Sequence, residues 1–108
     1  KKLAFLTNLN LSHNKISELK IGMFNGLANL KNINLALNKI SKIEIGALKS
    51  LISLTNLNLS HNKISELKIG FFNHLIFLKS IDLTYNPIFK VEKGIFKGLL
   101  HSPNIKLI

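Results

Sequence analysis

Asn14, Asn38, Asn62 and Asn86 stand 24 residues apart, and the apolar residues around them keep step. The pairs Leu9 and Leu11, Ile33 and Leu35, Leu57 and Leu59, and Ile81 and Leu83 precede each Asn. Ile16, Ile40, Ile64 and Ile88 follow it by two. Gly22, Gly46, Gly70 and Gly94 come eight residues after, and Phe24, Leu48, Phe72 and Phe96 ten after. A fixed period of roughly 20–50 residues marks a repeat array, in which each repeat packs mainly on its neighbours. A chain of this kind builds an elongated stack with a long surface for binding.

The 108 residues fit one domain, 1–108, of about four and a half repeats, and 46% hydrophobic content supplies a core. No apolar run is long enough to cross a membrane. Cysteine is absent, which excludes disulfides, thiolate metal sites and cysteine nucleophiles. The net charge of +10 comes from 15 basic residues, all Lys. Arg supplies the bidentate contacts that favour it in nucleic-acid recognition, so a nucleic-acid partner is not expected. An AT-rich coding bias accounts for the joint excess of Lys, Asn and Ile.

Residues 6–22 and 54–70 are identical over 17 positions at a separation of 48, the mark of a duplicated two-repeat unit. Within each repeat, Leu9-Asn10-Leu11-Ser12 and its equivalents alternate apolar and polar, which predicts a short strand. One strand per repeat with a return segment between makes successive strands parallel. The return, such as Ile21 to Leu27, reads as turns or a short helical segment. Gly22 and its equivalents stand where the backbone needs a geometry that other residues resist. Leu48 interrupts the Phe row and is expected to pack less fully than its neighbours. Two registers stay open near the end: Ile105 and Leu107 as the strand pair of a fifth repeat, or Ile105 and Ile108 opening a longer one.

Leu6-x-x-Leu9-x-Leu11-x-x-Asn14-x-Ile16 resembles the leucine-rich repeat consensus, and the match recurs in register from Leu30, Leu54 and Leu78. The following Gly-x-Phe-x-x-Leu segment is similar to the typical 24-residue subfamily, common in Toll-like receptors, chaoptin-like adhesion proteins and small proteoglycans. The resemblance implies an α/β horseshoe solenoid, with short parallel strands on the concave face and turns or short helical segments on the convex one. The ladder Asn14, Asn38, Asn62 and Asn86 is expected to satisfy backbone groups of tight turns, because an amide side chain both donates and accepts.

The strand positions facing the concave side are the candidate binding surface. In the four repeats they are Asn8, Asn10, Ser12 and His13; Asn32, Asn34, Ala36 and Leu37; Asn56, Asn58, Ser60 and His61; and Ser80, Asp82, Thr84 and Tyr85. The row His13, Leu37, His61 and Tyr85 is the expected partner contact, since Tyr is over-represented among interface hot spots. His13 and His61 lie two strands, or about 9.6 Å, apart. Metal–nitrogen bonds of about 2 Å are too short for them to share an ion. No metal and no cofactor is therefore expected. Ser12 with His13 lacks an acidic third member and a strained nucleophile turn, so an enzyme is not expected. Asn10 and Asn58 begin N-L-S sequons, candidate N-glycosylation sites whose glycans would obstruct the concave face. Lys15, Lys39 and Lys63 form a ladder past each Asn, a flank that an anionic ligand could use.

Together these features predict a non-catalytic protein–protein recognition module. The subfamily resemblance implies a receptor or adhesion-type protein, extracellular or membrane-anchored. A pattern-recognition ectodomain binding an anionic ligand on the Lys flank is the second reading, and an intracellular scaffold the third. The chain reads as an excerpt of a longer protein lacking both caps. Apolar ends at Leu3, Phe5, Ile105, Leu107 and Ile108 predict self-association of the isolated segment.

Overall fold

The computed structural model describes residues 2–108, with side chains described from residue 4 onward. A 3-10 turn at Lys2–Phe5 precedes nine short strands. Five of them form the concave sheet: β1 (Asn8–Asn10), β3 (Asn32–Asn34), β5 (Asn56–Asn58), β7 (Ser80–Asp82) and β9 (Asn104–Lys106). All pair parallel with no slip, so Asn8, Asn32, Asn56, Ser80 and Asn104 lie side by side. Such a register is demanded by the pleat, because a one-residue shift would turn every buried Leu outward. The middle residues Ile33, Leu57 and Ile81 are buried accordingly, as are Leu35, Leu59 and Leu83 two positions on.

The last segment keeps the 24-residue spacing. Ile105 stands beside Ile81 in the β7–β9 pair, which selects Ile105 and Leu107 as the apolar strand pair of a fifth repeat. Phe5 and Ile108 are exposed, while the side chain of Leu3 lies outside the described residues.

Turns and two-residue strands make up the return side. These strands are β2 (Glu18–Leu19), β4 (Lys42–Ile43), β6 (Glu66–Leu67) and β8 (Lys90–Val91), paired as β2–β4 and β6–β8. No α-helix occurs among the described residues, and turns fill that role. Gly22, Gly46, Gly70 and Gly94 have φ of 90°, 87°, 100° and 83°, a left-handed geometry that a Cβ resists.

One continuous core runs between the two sides. Phe24 and Phe72 are buried, and the Phe72 ring stacks on Phe96 at 5.5 Å. Leu48 departs from the expectation of looser packing: it is only 1% exposed. The buried Ala47 and Phe71 belong to the same continuous core as Leu48.

The turn after each concave strand is held by its Asn. Asn62 Nδ2 donates to the carbonyls of Leu59, Ser60 and, one repeat back, Leu35, while its Oδ1 accepts from Ile40 N. Asn38 and Asn86 repeat the set. Asn14 bonds only the carbonyls of its own turn, Leu11 and Ser12. Each inner Asn thus closes its own turn and ties it to the repeat before, a bond set that the tight turn cannot supply from its own backbone. No helix is long and apolar enough to cross a membrane among the described residues.

Candidate functional site

The free face of the concave sheet forms a groove of about 650 Å³, and two polar rows cross its floor. The first comprises Asn8, Asn32, Asn56, Ser80 and Asn104; the second comprises Asn10, Asn34, Asn58, Asp82 and Lys106. Alternation along each strand puts both rows on this face, with the Leu or Ile between them turned to the core.

Hydrogen bonds within the first row all run one way. Asn32 Nδ2 donates to Asn8 Oδ1, Asn56 Nδ2 to Asn32 Oδ1, and Ser80 Oγ to Asn56 Oδ1, each at 2.6 Å. The row is an amide chain that satisfies itself across three repeat junctions.

In the second row, the Asn oxygens and one carboxylate oxygen of Asp82 are committed to their own turns. Asn10, Asn34, Asn58 and Asp82 accept from the backbone N–H two residues on, at 2.9–3.0 Å. The hydroxyls of Ser12, Ser60 and Thr84 reinforce the same oxygens at 2.6–2.7 Å. With the oxygens anchored, the Nδ2 groups of Asn10, Asn34 and Asn58 make no hydrogen bond to another group among the described residues. They form a stripe of neutral donors along the groove, ending in the carboxylate of Asp82 and the ammonium of Lys106.

Asp82 has a displaced pKa. Partial burial pushes its carboxyl up, but the hydrogen bonds from the Thr84 hydroxyl and N–H, with the charges of Lys106 and His61, outweigh this and hold it below its ordinary value. The stability this contributes is full above the ordinary carboxylate pKa and is lost as pH falls through the lowered one. Asp82→Asn is therefore expected to lower the melting temperature slightly near neutrality, where this contribution is full, and to flatten its fall below about pH 4. Parallel acid limbs in melting curves of the two proteins would refute this.

Each concave strand ends before the expected contact row begins. Ser12, Ser60 and Thr84 spend their hydroxyls inside the turn, as described, and Ser60 is buried, as is Ala36 in the second repeat. His13, Leu37, His61 and Tyr85 follow, with φ of 59°, 58°, 55° and 60°. This left-handed backbone is uncommon for non-glycine residues, with Asn, Asp and His the enriched ones. It turns the four side chains out at the groove rim instead of onto its floor. Leu37 and Tyr85 are exposed, and the rings of His61 and Tyr85 stack with centroids 4.3 Å apart. Lys106 and Asn104 also line the groove, and sequence reasoning missed them because the register of the last segment stood open.

The hydroxyls of Ser12 and Ser60 donate to Asn10 and Asn58. Among the described residues, no group of three or more His, Asp or Glu could hold a metal. Lys15, Lys39 and Lys63 are exposed and lie outside the groove. The sequon residues Asn10 and Asn58 open directly into it.

A family model described as "Leucine rich repeat" matches residues 5–64 and 52–102. Among solved structures, a chain of the TLR13-ssRNA13 complex is 39% identical with a TM-score of 0.82, covering 87% of this chain and 13% of that one. A chain of the Toll–Spatzle complex, described as a molecular hub in Drosophila development and innate immunity, is 27% identical with a TM-score of 0.81. That match covers 86% of this chain and 13% of the other, so the chain spans only a small part of the length of either neighbour. No curated protein matches.

Proposed function

We propose that this chain, which belongs to the leucine-rich repeat family, is a protein-recognition module of a receptor or adhesion-type ectodomain that takes its partner on the concave face. The observation that carries this reading is the donor stripe. Asn10, Asn34 and Asn58 hold their oxygens in the turns and point unengaged N–H groups into an open groove. A preorganised row of neutral donors gives orientation and specificity to an acceptor-bearing partner at little desolvation cost, while the rim ring pair His61 and Tyr85 adds apolar contact. Solved structures similar to this chain belong to complexes with Spatzle in one case and ssRNA13 in the other, in keeping with recognition as the role. An extracellular or membrane-anchored location is part of the same proposal.

An Fc fusion of the chain screened against an array of secreted and cell-surface ectodomains from its source tests it. A partner whose affinity falls about tenfold on Asn34→Arg and Asn58→Arg, with Lys39→Ser neutral, is the expected result. A partner indifferent to both Asn substitutions would overturn the concave placement.

A second reading rests on the exposed Lys15, Lys39 and Lys63 and on the ssRNA-bound neighbour: capture of an anionic ligand by the Lys flank. Salt separates the two. Affinity for heparin or a single-stranded oligonucleotide held by this flank is expected to fall steeply between low and physiological salt, and further on Lys→Ser substitution of the three. Binding through the amide stripe changes little with salt. Glycans on Asn10 and Asn58 would fill the groove and move any partner to the rim or flank. Intact-mass analysis of protein from its natural source reads their occupancy directly.

A further inference from the structure

The flank carrying β2, β4, β6 and β8 changes character at every second repeat. One row of side chains reads Glu18, Lys42, Glu66, Lys90, and the next reads Lys20, Glu44, Lys68, Glu92. Within the first two repeats the elements are joined. β2 pairs with β4, Ser41 N donates to Ser17 O, Glu44 N donates to Leu19 O, and Lys42 lies 3.5 Å from Glu18. Within the next two the backbone bonds recur, with β6–β8 pairing, Phe89 N on Ser65 O and Glu92 N on Leu67 O.

Between these modules the flank bonding thins to one long backbone bond, Gly46 N to Gly70 O at 3.4 Å. β4 and β6 do not pair, and the equivalent amides of Ser65 and Lys68 have no acceptor among the described residues. A side-chain cap is lost at the same place. Glu44 Oε1 accepts from Ile21 N, and Glu92 Oε1 accepts from Ile69 N, both at 2.8 Å. Ile45 N would need the residue at position 68, but Lys68 offers no acceptor. A cleft of about 260 Å³ opens here, lined by Ser41, Lys42, Ser65, Glu66 and Lys68 among others. Beside it the chains touch closely: a Cβ on Gly70 would come within 2.6 Å of Ile45 Cγ2, an approach that no other glycine shows. On the concave side the junction is unbroken, with β3 paired to β5 and Asn62 accepting from Ile40 N.

We propose that the array is articulated. Two stiff two-repeat modules hinge on the continuous concave sheet at β3 and β5, with the Ile45–Gly70 contact as pivot. Opening and closing of the flank seam between β4 and β6 then adjusts the curvature of the groove. The reason is local bond density. The junctions inside the two modules carry strand pairing on both sides, whereas this one carries it only on the concave side and holds its flank by the single long Gly46–Gly70 bond, and sub-global opening follows the weakest boundary.

Hydrogen exchange on the intact chain, read residue by residue, tests the hinge. The amides of Ile45, Ser65 and Lys68 are expected to exchange about tenfold or more faster than Ile21, Ser41 and Glu44 on one side and Ile69, Phe89 and Glu92 on the other. Equal protection across the three groups would overturn the proposal. Lys68→Glu supplies the missing acceptor and is expected to slow Ile45 exchange specifically; no change there also counts against the hinge. Gly70→Ala and Gly22→Ala carry a similar left-handed penalty, but only the former forces Ile45 aside. Gly70→Ala should therefore raise exchange at Ser65 and Lys68 where Gly22→Ala does not, and identical exchange in the two variants would contradict the pivot.

Discussion

Asn38→Leu is expected to destabilise the array by about 4 kcal/mol, since each buried polar group left unpaired costs about 1–3 kcal/mol. Asn38 is 6% exposed, and its amide donates to the carbonyls of Leu11, Leu35 and Ala36 while its oxygen accepts from Ile16 N. Leucine is close in size but pairs with none of the four. Two of the orphaned groups, Leu11 O and Ile16 N, belong to the preceding repeat, so the damage falls on the junction as well as the turn. Lys39→Ser, one residue on and exposed, is expected to change stability by less than about 0.5 kcal/mol. Asn14→Leu is an internal comparison: Asn14 is exposed and bonds only two carbonyls, so a loss near 1 kcal/mol is expected. Urea unfolding of the three variants ranks them, and coincident midpoints for Asn38→Leu and Lys39→Ser would remove the ladder from the account of stability.

Phe72→Ala is the second large effect, at about 3–5 kcal/mol. The ring is fully buried, lies nearly parallel to Phe96 at 5.5 Å and meets Phe71 edge-on at 6.0 Å. Removing it leaves a void between the rings of two adjacent repeats, and a repeat array has no other core to take up the loss. Phe89→Ala is the control, because Phe89 is 76% exposed and its ring contributes little. The reverse exchange in the same row, Leu48→Phe, is expected to cost about 1–3 kcal/mol by overpacking, since Leu48 already fills its site. Thermal melts that place Phe72→Ala within error of Phe89→Ala would contradict the stacked spine.

Much of this was legible from spacing. A period of 24 located the strands, their parallel register and the buried Leu and Ile rows, because a side chain's direction in a strand follows from its parity. Side-chain chemistry pointed to the Asn turns, since only an amide offers both donors and an acceptor at one buried position. Backbone conformation was harder to see. His13 and His61 are of a type enriched at left-handed φ, but Leu37 and Tyr85 are not, and the surrounding turn imposes the geometry on all four. Packing volume was likewise hidden at Leu48, where closure depends on neighbours in other repeats and not on the residue itself. The donor stripe needed coordinates as well, because the sequence shows an Asn but not which of its two atoms is occupied.

The one-way amide chain from Ser80 through Asn56 and Asn32 to Asn8 gives the groove a head and a tail. Turned end for end, the floor would present a different order of chemistry, from Asn8 and Asn10 at one limit to Asn104 and Lys106 at the other. A partner lying along this floor has a preferred polarity, and a two-fold symmetric partner centred on the groove could match only one of its halves.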